Sequence, residues 1–93
     1  MSASSEAAIE VVLPADLHAR PAGQVTRAAA AYDASTWLST VGRPEVDARS
    51  VLAVMGLGAV AGERVLVRAE GPQAGDAVAA VAGVLAAAEA ISG

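Results

Sequence analysis

Leu17-His18-Ala19-Arg20-Pro21-Ala22 sets an imidazole, a guanidinium two places on, and a proline where a helix can begin. His18 is the single histidine in 93 residues. Proline has no N–H to lose in a helix's first turn, and its fixed φ suits that turn. The stretch therefore puts His18 and Arg20 beside the open end of a helix. The first backbone N–H groups there lack partners within the helix, and the dipole end is positive. Such a place suits an anion, above all a phosphate. A neutral imidazole nitrogen is also a nucleophile, so a histidine there can carry a phosphoryl group covalently. The plain alternative is a surface or capping histidine with no chemistry.

Upstream of this stretch, Ile9, Val11 and Leu13 alternate with Glu10 and Val12, the pattern of a half-buried strand that Pro14 ends. Met1–Ala8 is Ser/Ala-rich and reads as a loose tail, leaving residues 9–93 as one domain. Downstream, the spacing of Ala22, Val25, Ala29 and Tyr32 predicts a helix from Ala19 to Tyr32, with Gln24 and Arg27 off its apolar face. Ser35–Val41 is rich in β-branched and aromatic residues and reads as a strand. Gly42-Arg43-Pro44 turns the chain into a short partner strand, Glu45–Asp47. Ser50 is placed to cap a short helix that runs to Leu57, with Gly56 and Gly58 as its stop. Glu63–Ala69 alternates Val65, Val67 and Ala69 against Arg64 and Arg68, and Glu70-Gly71-Pro72 reads as a turn. Ala74–Ile91 is a helix whose stripe is Val78, Val81, Leu85 and Ala88, widened by Val84 and Ile91. The order β-α-β-β-α-β-α implies an antiparallel four-stranded sheet with three helices on one face, the α+β class.

Composition narrows the chemistry. The chain holds no cysteine, so neither a disulfide framework nor a zinc-finger ligand set is available. One histidine and scattered acids offer no metal site. A net charge of −4 argues against general nucleic-acid binding. All six basic residues are arginines, and Arg20, Arg27 and Arg49 matter for an anion if they share a face. No secretory signal is visible, and the apolar run Ala77–Ala88 is too short to span a bilayer. The expectation is a cytoplasmic monomer without membrane insertion. A Ser-His-Asp set can be drawn from Ser50, His18 and Asp16, but a chain this small offers little pocket for it.

Leu17–Ala22 resembles the active-site motif of the HPr family, the histidine-containing phosphocarriers of the bacterial phosphoenolpyruvate:sugar phosphotransferase system. Arg49–Gly58 is similar to that family's regulatory-serine region, and the two blocks lie the right distance apart. The match in length and element order runs from about Ala8 to Ile91. The resemblance implies an open-faced β-sandwich and a carrier rather than a free-standing enzyme. It implies that His18 accepts a phosphoryl group, through Nδ1, from phosphorylated enzyme I and passes it to an enzyme II A component in sugar uptake. Arg20 matches the arginine that balances charge on the phosphoryl oxygens. Ala19, Gly23, Arg27, Arg49, Val51, Leu52 and Met55 match partner-contact positions. Val54 and Leu57 are expected inward, and Leu52 and Met55 outward. No cofactor is implied.

Ser50 matches the serine that a dedicated kinase/phosphorylase modifies in some members, and a plain helix cap is the alternative that its sequence position favours. The chain departs from the family pattern at Asp16, where glycine is usual. An aspartate there either repels the phosphoryl dianion or holds the imidazole by a hydrogen bond. The hairpin at Val41–Pro44 is about a residue longer than in common members. These departures leave a second function open, an HPr-like regulatory or binding protein with weak or no phosphotransfer. The third is an interaction module unrelated to phosphotransfer.

Overall fold

In the computed structural model, which describes residues 5–88, β1 (Ser5–Val12) leads into α1 (Ala19–Ala30). β2 (Ser35–Ser39) and β3 (Val46–Asp47) follow, then α2 (Val51–Gly56), β4 (Arg64–Gly71) and α3 (Ala74–Ala86). The strands lie in the order β1-β4-β2-β3 and every pair is antiparallel. This is the α+β open-faced sandwich expected from the sequence. β4 is the central spine: Ile9 pairs with Val67 on one side, and Leu38 pairs with Val67 on the other.

Alternation in β4 decides which face is core. Val65, Val67 and Ala69 are fully buried, whereas Leu66 between them is exposed. Against that face pack Val25 and Ala29 of α1, Val54 of α2, and Val78, Val81 and Leu85 of α3. Small side chains let the helices sit close to the sheet. Each buried valine or leucine contributes about 1.5–3 kcal/mol by leaving water. The other face is polar. There the Arg68 guanidinium stacks 4.3 Å above the Trp37 ring and pairs with Glu45 at 2.8 Å and with Glu70. The hydrogen bond from Arg68 holds the Glu45 carboxyl below its ordinary 4.5, with burial opposing and the Arg68 charge assisting.

Several boundaries move from the sequence reading. β1 starts at Ser5 rather than Ile9, because Ser5–Ala8 pair with Arg68–Gly71. The loose tail expected over residues 1–8 is therefore shorter, and residues 1–4 lie outside the described part. Correspondingly, β4 runs through Glu70 and Gly71, read from sequence as a turn. Ile9, expected inward, is 42% exposed because β1 is the sheet's edge strand. β2 stops at Ser39, and Val41 stands almost fully in solvent in the hairpin. α1 ends at Ala30, and Tyr32 packs on the core from beyond it. Ile91, assigned to the last helix's stripe, lies outside the described residues.

One glycine is required by close approach. Gly71 has φ +137°, and a Cβ there would meet the Ala34 Cα at 2.9 Å and the Asp33 carbonyl oxygen at 3.1 Å. The β4–α3 corner thus presses against the α1–β2 turn. Two hydrogen bonds fasten the contact: Gln73 N–H donates to the Asp33 carbonyl at 3.0 Å, and Asp33 N–H donates to Gln73 Oε1 at 2.7 Å.

Candidate functional site

His18 is the N-cap residue of α1, with extended backbone at φ −78° and ψ −178°. Its carbonyl accepts the first helical bond, from Ala22 N–H at 3.0 Å. Its imidazole makes no capping bond. Pro21 at the third helical position supplies no donor. The N–H groups of Ala19 and Arg20, both exposed residues, have no partner among the described residues. The ring is half-buried, so it is reachable from solvent. Among the described residues the helix mouth therefore offers two free N–H groups, a positive dipole end and an unengaged imidazole.

The loop that delivers His18 is pinned from below. Ala15 and Leu17 are buried, which alternates with exposed Pro14 and half-buried Asp16 and His18. Residues 13–18 lie along the segment 59–63 that joins α2 to β4. Leu13 N–H donates to the Glu63 carbonyl at 2.9 Å, and Gly62 N–H returns a bond to the Leu13 carbonyl at 2.8 Å. Leu17 N–H donates to the Ala59 carbonyl at 3.0 Å. Asp16 Oδ1 accepts from Ala61 N–H at 2.8 Å. Of the two alternatives read from the sequence for Asp16, the hydrogen bond to the imidazole is not formed. The carboxylate faces a backbone amide instead.

The arginines divide into engaged and free. Arg43 donates to the Leu57 carbonyl at 2.6 Å and lies 3.7 Å from Glu63, so the hairpin braces the C-terminal end of α2. Arg64 pairs with Glu10 at 3.1 Å, and Arg68 with Glu45 and Glu70. Arg49 donates to the carbonyls of Tyr32 and Ala34, both at 3.3 Å. The condition that Arg20, Arg27 and Arg49 share a face is not met around His18 by Arg49. Tyr32 and Ala34 lie beyond the C-terminal end of α1, and twelve residues of helix, about 18 Å, separate that end from His18. Arg20 and Arg27 alone among the six make no ion pair or hydrogen bond with the described residues. They are seven apart on α1 and so lie on one side of it. Arg27 reaches back along the helix, its Nη1 3.8 Å from where a Cβ on Gly23 would sit.

Arg20 also lines a cleft of about 290 Å³ with Pro21, Gln24 and the end of α3 at Ala87 and Ala88. Gln24, read from the sequence only as lying off the apolar face, is four residues from Arg20 and so on the same helical side. Among the described residues no group of three or more His, Cys, Asp or Glu side chains could hold a metal ion. No helix of the described part is long and apolar enough to cross a membrane.

α2 runs alongside α1 in the opposite direction: Ala59, just past its end, bonds to Leu17, while Arg49, just before its start, bonds to Tyr32. Met55 is therefore nearer the His18 end and Ser50 nearer the far end. Val54 and Leu57 are buried, whereas Leu52 is 82% exposed and Val51 and Met55 are partly exposed. Both inward and both outward assignments agree with the structure. Ser50 is the N-cap of α2, and its Oγ accepts from Ala53 N–H at 3.1 Å.

Comparisons with known proteins agree with this fold. Residues 5–87 match the family model described as the PTS HPr component phosphorylation site. The chain is 38% identical over 73 residues to phosphocarrier protein HPr of Vibrio cholerae, covering 78% of this chain and 85% of that one. It is 34% identical over 73 residues to phosphocarrier protein NPr of Escherichia coli strain K12, covering 78% and 81%. Among solved structures, a phosphocarrier protein HPr from Bacillus anthracis superposes with a TM-score of 0.74 at 27% identity, covering 90% of this chain and 99% of that one. HPr from Thermoanaerobacter tengcongensis gives 0.73 at 30% identity, over 87% and 90%. With this motif, this fold and these relatives, the chain belongs to the HPr family of phosphotransferase-system phosphocarriers.

Proposed function

We propose that this chain carries a phosphoryl group on His18 between enzyme I and an enzyme II A component, and so serves sugar uptake. A ring nitrogen of His18 attacks the phosphorus of a phosphohistidine on enzyme I. A new N–P bond forms as the donor's N–P bond breaks, and the phosphoryl group then leaves for a histidine on the enzyme II A component by the same exchange. Transfer between near-equivalent nitrogens asks for in-line positioning more than for an acid or base. The observation that carries this reading is the α1 mouth. There the imidazole is free, Ala19 and Arg20 present unpartnered N–H groups, and the Arg20 guanidinium is unengaged among the described residues.

The docking surface is the side of α1 and α2 that carries Ala19, Gly23, Arg27, Val51, Leu52 and Met55. An apolar patch flanked by two arginines that make no ion pair among the described residues suits partners with apolar and acidic surfaces. Arg49 supports this surface from its far edge by holding the α1–β2 turn. Ser50 has its Oγ engaged with Ala53, which favours the cap role over a phosphoserine written by a kinase. The chain is expected to act as a cytoplasmic monomer.

Incubation with enzyme I and phosphoenolpyruvate, followed by intact-mass measurement, tests the proposal. The expected result is an acid-labile gain of one phosphoryl group, absent in His18→Ala, that discharges when an enzyme II A component is added. No gain with an enzyme I that phosphorylates another carrier contradicts it and leaves the fold in a binding or regulatory role.

A further inference from the structure

The carboxylate at position 16 sits where the family usually has glycine, two residues before the phosphoryl acceptor. A negative charge there threatens repulsion of the phosphoryl group, and a side chain there removes backbone freedom from the turn. Its structure points to a different consequence. Asp16 is bonded twice. Its Oδ1 accepts from Ala61 N–H at 2.8 Å, and its own carbonyl accepts from His18 N–H at 3.0 Å. One residue thus links the backbone of His18 to the segment 59–63. The neighbouring backbone bonds, Leu17 to Ala59 and Leu13 to Gly62 and Glu63, hold the chain on either side but do not touch His18. Between Leu17 and the first turn of α1, the Asp16 carbonyl is the acceptor for His18 N–H, and the side chain fixes which way Asp16 faces.

We propose that Asp16 is a positioning residue for phosphotransfer: by anchoring to the Ala61 amide it holds His18 in the extended N-cap conformation. This rests on the phosphocarrier reading above. The bond also turns the carboxylate onto a backbone donor, where its charge is partly satisfied. A neutral acceptor of the same shape does the same positioning, so the oxygen matters and the charge does not.

Three variants separate the possibilities. Asp16→Asn keeps an acceptor oxygen without charge, whereas Asp16→Ala and Asp16→Gly remove the acceptor. Rates of phosphoryl transfer from phosphorylated enzyme I are measured for each, with kcat and KM resolved. Amide proton exchange at Ala61, Leu17 and His18 is followed on the same samples. The expected result is that Asp16→Asn stays within about twofold of wild type, while Asp16→Ala loses about three- to tenfold in kcat with KM unchanged. Faster exchange at Ala61 and His18 should accompany the Ala and Gly variants only. An Asp16→Ala protein with wild-type kcat overturns positioning. An Asp16→Asn protein much faster than wild type overturns it too, in favour of repulsion. A wild-type chain that takes no phosphoryl group sinks the carrier reading. The exchange data still decide the anchor in that case, since unchanged protection of His18 N–H in Asp16→Ala removes it.

Discussion

At the residue scale, two arginines with the same charge sit in opposite settings. Arg20 stands at the helix mouth without a partner among the described residues, while Arg49 is held on the Tyr32 and Ala34 carbonyls. Arg20→Ala should therefore lower kcat/KM for phosphoryl transfer by on the order of tenfold or more while leaving Tm nearly unchanged. Arg49→Ala should do the reverse: transfer close to wild type, and stability lower by about 0.5–1.5 kcal/mol from the lost bonds. Paired kinetics and thermal melts check this, and an Arg49 variant with the larger kinetic loss would contradict it. His18 and Arg20 were legible in the sequence because proline, histidine and arginine carry their meaning locally. The engagement of Arg49 was not, since its acceptors lie 17 and 15 residues away in a turn whose position only the fold sets. Asp16 was noticed, but its partner Ala61 is 45 residues off and has no side-chain signal to betray it.

At the element scale, periodicity, composition and turn and cap signals together located all seven segments and misjudged several of their ends. Alternation in β4 identified its buried valines because both neighbours of a central strand are fixed by the sheet. The same rule failed for Ile9, which lies on an edge strand where half of the cover is missing. The extension of β1 to Ser5 escaped notice because Ser5–Ala8 has no apolar alternation and is held by backbone pairing to β4. Backbone conformation makes its own prediction at the β4–α3 corner. Gly71→Ala must place a Cβ against the Ala34 backbone at a φ that side chains rarely adopt. It should cost at least about 1–3 kcal/mol, seen as a lower denaturation midpoint with an unchanged m-value. A neutral effect would mean that the corner is looser than described.

At the scale of the whole molecule, the sheet and core set α1 and α2 side by side, with His18 capping α1 and Leu52 and Met55 of α2 left exposed. The polar far face of the sheet, with Arg68 over Trp37 and paired with Glu45, takes no part in this. Leu52 projects 82% into solvent, so Leu52→Glu should leave stability within about 0.5 kcal/mol of wild type. It should raise KM for enzyme I severalfold, with little change in kcat, because docking and not chemistry is altered. An unchanged KM would move the docking surface elsewhere. The local motif and the helix-facing pattern made this surface readable in outline, since Val54 and Leu57 separate from Leu52 and Met55 by helical spacing alone.

The account stands on one ring nitrogen at the mouth of α1. Its most direct test is the nitrogen-15 spectrum of the His18 ring before and after incubation with enzyme I and phosphoenolpyruvate. The expected result is that one ring nitrogen shifts to a phosphoramidate position while the other stays unsubstituted, with the amides of Ala19 and Arg20 moving downfield as they meet the phosphoryl oxygens. A His18 ring spectrum that does not change, under conditions where the same enzyme I phosphorylates another carrier, would contradict it.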